Sequence, residues 1–501
     1  MISRRKFVTN VAATTAAVTI VPRHVLGHGY VAPSDRLNIA GIGVGGQGRI
    51  NLLNCAVGNN IVAMCDVDWG YAGKAWGSSE ADLKREQERL LKTDLTPEGR
   101  RNSEIRVAAL QQVIGQDLPK HKRYTDYRVM FEQQKDIDAI IVATPDHMHA
   151  AIAMAALDLD KHLFVQKPLC WSVDEARKMA RKARQTPKAV TQMGNQGHSW
   201  DDGRKAVEWI QSGAIGDVRE VHVWTNRPFS HWPQGIPRPE PRRISESMRW
   251  NMPGVMARLS NAMGIYSMPD ELSWDLFLGP APACDYHPVY HPFNWRGWTD
   301  WGCGAIGDMG AHLIDFAYWA LDLGYPTSVE TVASPFDGAC FPAATTTYYE
   351  FAARGAMPPV KLTWYDGGMM PPTPPELGDE KLNPEGGALI VGSKGKIVHG
   401  NYGLNSRIIP DSLQKSVGDP PKTLERITVS HEMNWANACK GVGTATTPFE
   451  YAAKLTEVML LGVVSLKAKE KIHYDGANMK ITNSSKANDL LKRDYRRGWS
   501  L

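Results

Sequence analysis

Residues 302–315 read GCGAIGDMGAHLID, and on a helix Asp308 and His312 stand at i, i+4 on one face. A carboxylate so placed can orient an imidazole and favour its protonated form, which suits a general base that collects a proton from an alcohol. A third candidate is Lys167, just past the short apolar run Leu163 to Val165. A lysine there stands at the carboxyl edge of a strand, where open α/β sheets bind ligands. Burial lowers a lysine's pKa, so it can hydrogen-bond a substrate hydroxyl or carry a proton. Pro168 restricts the backbone of Lys167 and admits a cis bond.

An electron acceptor for such chemistry is suggested at residues 37–50, LNIAGIGVGGQGRI. Gly41, Gly43 and Gly46 fall in G-x-G-x-x-G register, after a strand-like segment from Leu37 to Ala40 and before a helix-compatible one from Arg49 to Ala56. Such glycines allow a tight turn, a close approach of backbone to a pyrophosphate, and helix-on-strand packing. The amides at the helix start then face the phosphate charge. A second apolar run, Ile61 to Met64, leads to Cys65-Asp66, with Asp66 20 residues past Gly46. An acid at that strand tip accepts hydrogen bonds from an adenosine ribose and repels a 2′-phosphate, which favours NAD over NADP. The cofactor residues expected from this stretch are Gly41, Gly43, Gly45, Gly46, Gln47 and Asp66.

These groups need a scaffold. Residues 36–66 read as strand, glycine turn, helix and strand, and strand-like runs at 138–143, 163–165 and 189–193 alternate with helical segments at 148–157 and 173–184. Strands alternating with helices mean a doubly wound parallel sheet. A charged, helix-compatible stretch between Asp66 and Tyr124 is longer than a crossover needs and reads as an inserted arm over about 70–120, solvated or packed on a partner subunit. After about residue 216 the texture changes. Asp217 to Thr225 alternates in period two, and Thr345 to Phe351, Val360 to Trp364, Ala388 to Val391 and Lys396 to His399 are further strand candidates, separated by Pro- and Gly-rich loops. Trp435 to Lys440 and Glu450 to Lys467 are helical. The expected fold class is α/β: an N-terminal Rossmann sheet, then an α/β domain with a large, predominantly antiparallel open-faced sheet. The expected divisions are 1–35 for a signal and linker, 36–195 for the dinucleotide domain and 196–501 for the substrate and oligomerisation domain.

A chain of 501 residues with 43% hydrophobic and 22% charged residues is globular in composition. The net charge of +4 includes no basic run that would suggest nucleic acid. The seven cysteines are scattered without C-x-x-C spacing, so neither a metal site nor a disulfide framework is expected. Ser3-Arg4-Arg5-Lys6-Phe7-Val8 looks like a twin-arginine export signal, and the apolar stretch Val11 to Val21 is far short of the ~20 residues that span a bilayer. A periplasmic or otherwise exported protein, handled folded by the twin-arginine translocase, is the expectation. Of the 16 tryptophans many crowd residues 200–301, including Trp224, Trp232, Trp274, Trp295 and Trp298. Aromatic faces pack on sugar C–H faces while polar neighbours take hydroxyls. His198 is a plausible neighbour, and the substrate residues expected are Asn195, Gln196, Trp224, Arg227, Arg296 and Trp298.

In order along the chain, the GIGVGGQG turn, the ATPDHMHA strand end, the QKPL turn and the GDMGAH helix resemble the Gfo/Idh/MocA oxidoreductase family. The resemblance runs from Leu37 to the YRRGW near the end. It implies a Rossmann domain followed by an open-faced sheet domain that often mediates oligomers, here a homodimer or homotetramer. It implies oxidation or reduction of a sugar or cyclitol carbinol with NAD(P). It puts Lys167, Asp308 and His312 in the family's catalytic lysine, aspartate and histidine positions, and Thr144 and Pro145 beside the nicotinamide; His149 and Lys167 complete the cofactor set. The segments FEYAAKLTEVMLLG and WDLFLGPAPACDYHPVYHPFNWRGW resemble an exported subgroup acting on carbohydrates. Gln166 stands where the family commonly has Glu, which bears on how the lysine titrates. The function expected is an exported NAD-dependent sugar or glycoside dehydrogenase, with C3 as a candidate carbon and a tightly held, recycled cofactor. One alternative is glycoside cleavage through transient oxidation and elimination. Another is a non-catalytic sugar-binding protein on the same fold.

Overall fold

The computed structural model describes residues 35–239 and 266–501; the twin-arginine segment lies outside them. Six parallel strands form the first sheet: β1 (Asn38–Ile42), β2 (Asn60–Cys65), β3 (Lys122–Tyr124), β4 (Ala139–Val142), β5 (His162–Val165) and β6 (Thr191–Met193), in the order β3-β2-β1-β4-β5-β6. All four residues of β4 are buried, which is why it reads as an unbroken apolar run. The strand order reverses between β1 and β4, and that reversal opens a crevice at the carboxyl ends of the strands.

Helix α1 (Gln47–Ala56) follows β1. The inserted arm is three helices, α2 (Trp69–Gly77), α3 (Ser79–Leu90) and α4 (Pro97–Gln112). Helix α3 is mostly exposed and packs on α4, while Ala109 and Leu110 of α4, with Val113, share a core with Leu52, Leu53 and Cys55 of α1. The arm is therefore seated on its own domain, and Arg49 ties it down through Asp82 at 2.6 Å. Helices α5 (Asp146–Asp158) and α6 (Val173–Gln185) complete the crossovers; a capping box of Ser172 and Glu175 starts α6.

The second sheet has nine strands: β7 (Val218–Thr225), β8 (Ser328–Ala333), β9 (Thr345–Phe351), β10 (Val360–Tyr365), β11 (Gly386–Gly392), β12 (Lys396–Gly400), β13 (Arg407–Ile409), β14 (Ile472–Asp475) and β15 (Lys480–Ile481), ordered β13-β12-β11-β7-β10-β9-β8-β14-β15. Only β7 and β10 pair in parallel. Three helices connect the two halves: α7 (Gly304–Leu313), α8 (His431–Cys439) and α9 (Phe449–Ala468). Most of α9 is buried, as its largely apolar sequence requires, and it lies between α6 and β8 and against α7. Gly310 permits that approach, since a Cβ there would stand 3.0 Å from the Met459 side chain. Helix α7, which carries Asp308 and His312, is thereby held rigidly. Helix α8 returns to the first domain, where Trp435 and Ala436 join the core around α1. Among the described residues no helix is long and apolar enough to cross a membrane.

Candidate active site

A cavity of about 370 Å³ occupies the crevice. Its walls include Gly43, Gly45, Gly46 and Gln47 from the turn, Asp66, Thr144, Pro145, Lys167, Asp308 and His312, with Gln196, Arg227 and Arg296 from beyond the first sheet. The residues fit a dinucleotide. No side chain caps α1, so the Gln47 and Gly48 amides are left for a pyrophosphate, while that of Arg49 turns to the Gly46 carbonyl at 3.1 Å. The Thr144 hydroxyl is buried on the cavity wall with no hydrogen-bond partner. Asp66 accepts from the amides of Val44 (2.8 Å), Gly45 (3.0 Å) and Asp68 (3.0 Å), which locks the turn to β2. An ionised carboxylate has about four acceptor positions, so one remains for a ribose hydroxyl. Burial raises the Asp66 pKa despite those amides.

The glycine register is Gly43-x-Gly45-x-x-Gly48, two residues on from the frame expected. Gly43 has φ +79°, and a Cβ on it would stand 2.7 Å from the Ala143 backbone. A Cβ on Gly48 would stand 2.1 Å from the Gly43 carbonyl oxygen, whereas one on Gly46 would meet nothing within 4 Å. Gly41 lies inside β1 and does not line the cavity. Gly48→Ala is expected to abolish NADH binding in a fluorescence titration, while Gly46→Ala retains it within the range of an ordinary surface change. Equal losses in both variants would place the turn in the other frame.

Lys167 and Asp308 meet directly. Lys167 Nζ donates to Asp308 Oδ1 at 2.7 Å and to the Asp308 carbonyl at 2.8 Å, across a cis Lys167–Pro168 peptide. Arg227 Nε lies 3.4 Å from Oδ2 and Arg296 Nε 3.5 Å from Oδ1. Burial opposes ionisation of Asp308, but Lys167, Arg296 and Arg227 outweigh it and hold the carboxyl well below the usual range. Asp308 thus serves Lys167 and not His312, which corrects the expected pairing along the helix. His312 is buried, its Nδ1 has no hydrogen-bond partner, and its ring lies edge-on to Tyr402 at 4.6 Å. Burial and then the Lys167 charge push its pKa well below the ordinary value, so the ring is neutral, opposite to the expected protonated form. Gln166 reaches back to Asn51 at 3.0 Å, and Asn51 in turn donates to Glu432 at 2.6 Å. The expected loss of a carboxylate beside the lysine is met by one on α8, two hydrogen bonds away.

Several other expectations are corrected. His149 bridges the Pro168 carbonyl (2.8 Å) and the Thr144 carbonyl (2.9 Å), off the cavity wall; it ties two loops together instead of touching cofactor. Asn195 is buried behind the wall, where it donates to Asp315 at 3.1 Å, beside His198, whose ring stacks on Trp319. Trp224 and Trp298 are fully buried in separate apolar clusters. The aromatic lining includes Trp232, Trp295 and Phe293.

The sequence reading missed Asp146, the first residue of α5 in ATPDHMHA. It lines the cavity, and its Oδ2 accepts from the Cys303 amide at 3.0 Å. Burial pushes its carboxyl up to about 7, against the pull of Arg296 and Lys167. The unfolded chain releases that proton near 3.8 and the folded protein near 7, so the folded state carries the extra proton between them and stability falls as pH rises through that window. The difference is of the order of 4 kcal/mol. Asp146→Asn is expected to flatten this part of the stability–pH curve, as measured by urea denaturation at several pH values across it. A curve unchanged from that of the parent would show that Asp146 ionises freely.

Two family models match. Residues 101–193 match "Oxidoreductase family, NAD-binding Rossmann fold" and residues 248–501 match "Oxidoreductase family, C-terminal alpha/beta domain". The chain belongs to the Gfo/Idh/MocA oxidoreductase family. A glycosyl hydrolase family 109 protein of Shewanella woodyi is 33% identical over 114 residues, 22% of this chain and 24% of its own length. Another of that name from Shewanella baltica is 24% identical over 219 residues, 42% of this chain and 40% of its own. The match thus takes in about a quarter of the first of these relatives. Among solved structures, the WlbA dehydrogenase from Bordetella pertussis, in complex with NADH and UDP-GlcNAcA, superposes with a TM-score of 0.52 at 13% identity, over 88% of this chain and 99% of that one. An inositol dehydrogenase homolog from Azotobacter vinelandii, complexed with NADH and myo-inositol, gives 0.50 at 15% identity, over 88% and 98%. At such identities the likeness is one of fold. The family is described as an oxidoreductase family with an NAD-binding Rossmann fold, and the six-stranded parallel sheet of this chain is that fold.

Proposed function

We propose that this protein is an NAD-dependent dehydrogenase acting on a secondary alcohol of a sugar or glycoside. The carrying observation is that Lys167, Asp308 and His312 share one cavity with the glycine turn and Asp66. Bound there, NAD supplies a two-electron hydride acceptor. The neutral His312 is the base that takes the hydroxyl proton. The Lys167 ammonium, held by Asp308, binds the substrate oxygen and stabilises the negative charge that grows on it. Trp232 and Trp295 offer faces to the sugar ring, and Gln196 offers amide hydrogen bonds. Carbohydrate-bearing neighbours of the same fold support the substrate class.

The test is NADH absorbance on a panel of glycosides, with the oxidised product identified by mass. His312→Ala is expected to lower kcat by ~10²–10⁴-fold. Because its pKa is depressed, the base form persists at low pH, so the acid limb of the kcat profile falls below the ordinary histidine value. An acid limb at or above that value would remove His312 as the base.

The same proposal includes a retained cofactor, export by the twin-arginine route and a homo-oligomer. Residues 276–277, 291–293 and Trp499 wall the crevice, which supports retention. Purified exported protein without a dinucleotide would contradict it. The family 109 names of the partial relatives favour one second reading, cleavage of a glycosidic bond after transient oxidation. Release of free sugar without net NADH would select it.

A further inference from the structure

We propose that the substrate carries a carboxylate, so that the site takes a sugar acid in preference to the matching neutral sugar; this rests on the dehydrogenase reading above. Three cations surround the Asp308 carboxylate: Lys167 at 2.7 Å, Arg227 at 3.4 Å and Arg296 at 3.5 Å. The side chains are only 11–20% exposed, so water screens them poorly. One carboxylate offsets one cation. Among the described residues the next acid beside these cations is Asp146, whose carboxyl burial pushes up to about 7. Among the described residues one to two positive charges are therefore left over at this end of the cavity.

The arginines also have unused donors. Neither engages Asp308 in a bidentate fork. Arg227 Nε is buried without a hydrogen-bond partner, and Nη1 donates to Asn226 Oδ1 at 2.8 Å. Arg296 gives Nη1 to the Phe293 carbonyl at 3.2 Å, and its guanidinium is held against the Phe293 and Trp295 rings, 4.2 Å from each centroid. Among the described residues no acceptor takes Nη2 of either arginine. A planar guanidinium with free N–H groups, fixed by flanking rings, suits a carboxylate. The alkoxide character that a neutral sugar develops during oxidation needs one cation, and Lys167 is that one. It leaves the two arginines unaccounted for.

The test uses matched methyl glycosides of glucose, galactose and mannose and the corresponding uronides, which differ only in a hydroxymethyl group against a carboxylate. Each is titrated calorimetrically into the full chain with NADH present, and NAD reduction is followed in parallel. At least one uronide is expected to bind tenfold or more tightly than its neutral partner, the size of a charge-assisted hydrogen-bonded pair. Arg227→Gln and Arg296→Gln are expected to narrow that ratio, with NADH binding by each variant as the check of folding. Neutral members that bind as tightly as the uronides overturn the proposal and leave the dehydrogenase reading standing. A uronide preference untouched in both variants overturns the assignment to these arginines. If no pair binds and none reduces NAD, the dehydrogenase reading falls and the proposal falls with it.

Discussion

Lys167→Met is expected to lower turnover of the proposed carbohydrate substrate by ~10²–10⁴-fold and to leave NADH binding in place. In the proposed mechanism the ammonium binds the reacting oxygen, and methionine keeps its length without its charge. The fold survives because Asp308 still faces two guanidinium groups, at 3.4 and 3.5 Å. Arginine does not replace it: a planar fork cannot donate at once to Asp308 Oδ1, to the Asp308 carbonyl and to a substrate oxygen as a tetrahedral ammonium can. Steady-state kinetics on the Met and Arg variants, beside NADH titration, checks both statements. Turnover within tenfold of the parent in either variant would take Lys167 out of the reaction.

Asp308→Asn is expected to lose stability as well as turnover. It removes the carboxylate at which Lys167, Arg227 and Arg296 converge. Breaking a buried pair from one side costs about 3–5 kcal/mol, because a desolvated charge is left behind. The asparagine variant is therefore expected to unfold at lower urea and to lose turnover together. Added uronate is expected to restore part of its stability, since a bound carboxylate replaces the missing charge. The pH dependence separates this from a generic lesion. Asp308 is ionised throughout the working range, its pKa held well below the usual carboxylate value, so the deficit stays the same from mildly acid to mildly alkaline buffer. A deficit that vanishes at acid pH would mean that the parent carboxyl is itself protonated there.

Much of the fold was legible because its elements are periodic. The buried run at β4, the alternation of β7 and the largely apolar α9 each announce their layer. Strands of two or three residues, such as β3, β13 and β15, carry too little pattern and are set by their neighbours in the sheet. The site was legible where a motif sits at a strand end, as with Lys167 and Thr144. It was misread where spacing admitted two answers. The glycine turn contains two overlapping G-x-G-x-x-G frames, and only the close contact of Gly48 with Gly43 separates them. Asp308 shares a helix face with His312, yet an ammonium arriving from 141 residues away claims the carboxylate. Trp224 and Trp232 look alike in sequence, but the first is sealed against Leu389 and Ile409 while the second borders the cavity. Asp146 was visible in ATPDHMHA as an acid opening a helix at the edge of a buried strand, and its position there was the available signal.

The aromatic wall has a consequence for how the protein can be studied. Of the 16 tryptophans, Trp232, Trp295 and Trp499 border the crevice among the described residues. Indole emission overlaps the absorption of a dihydronicotinamide and not of its oxidised form. Loading with the reduced cofactor should therefore quench ultraviolet-excited fluorescence and light up blue sensitised emission, giving an unlabelled optical readout of occupancy and redox state in one cuvette.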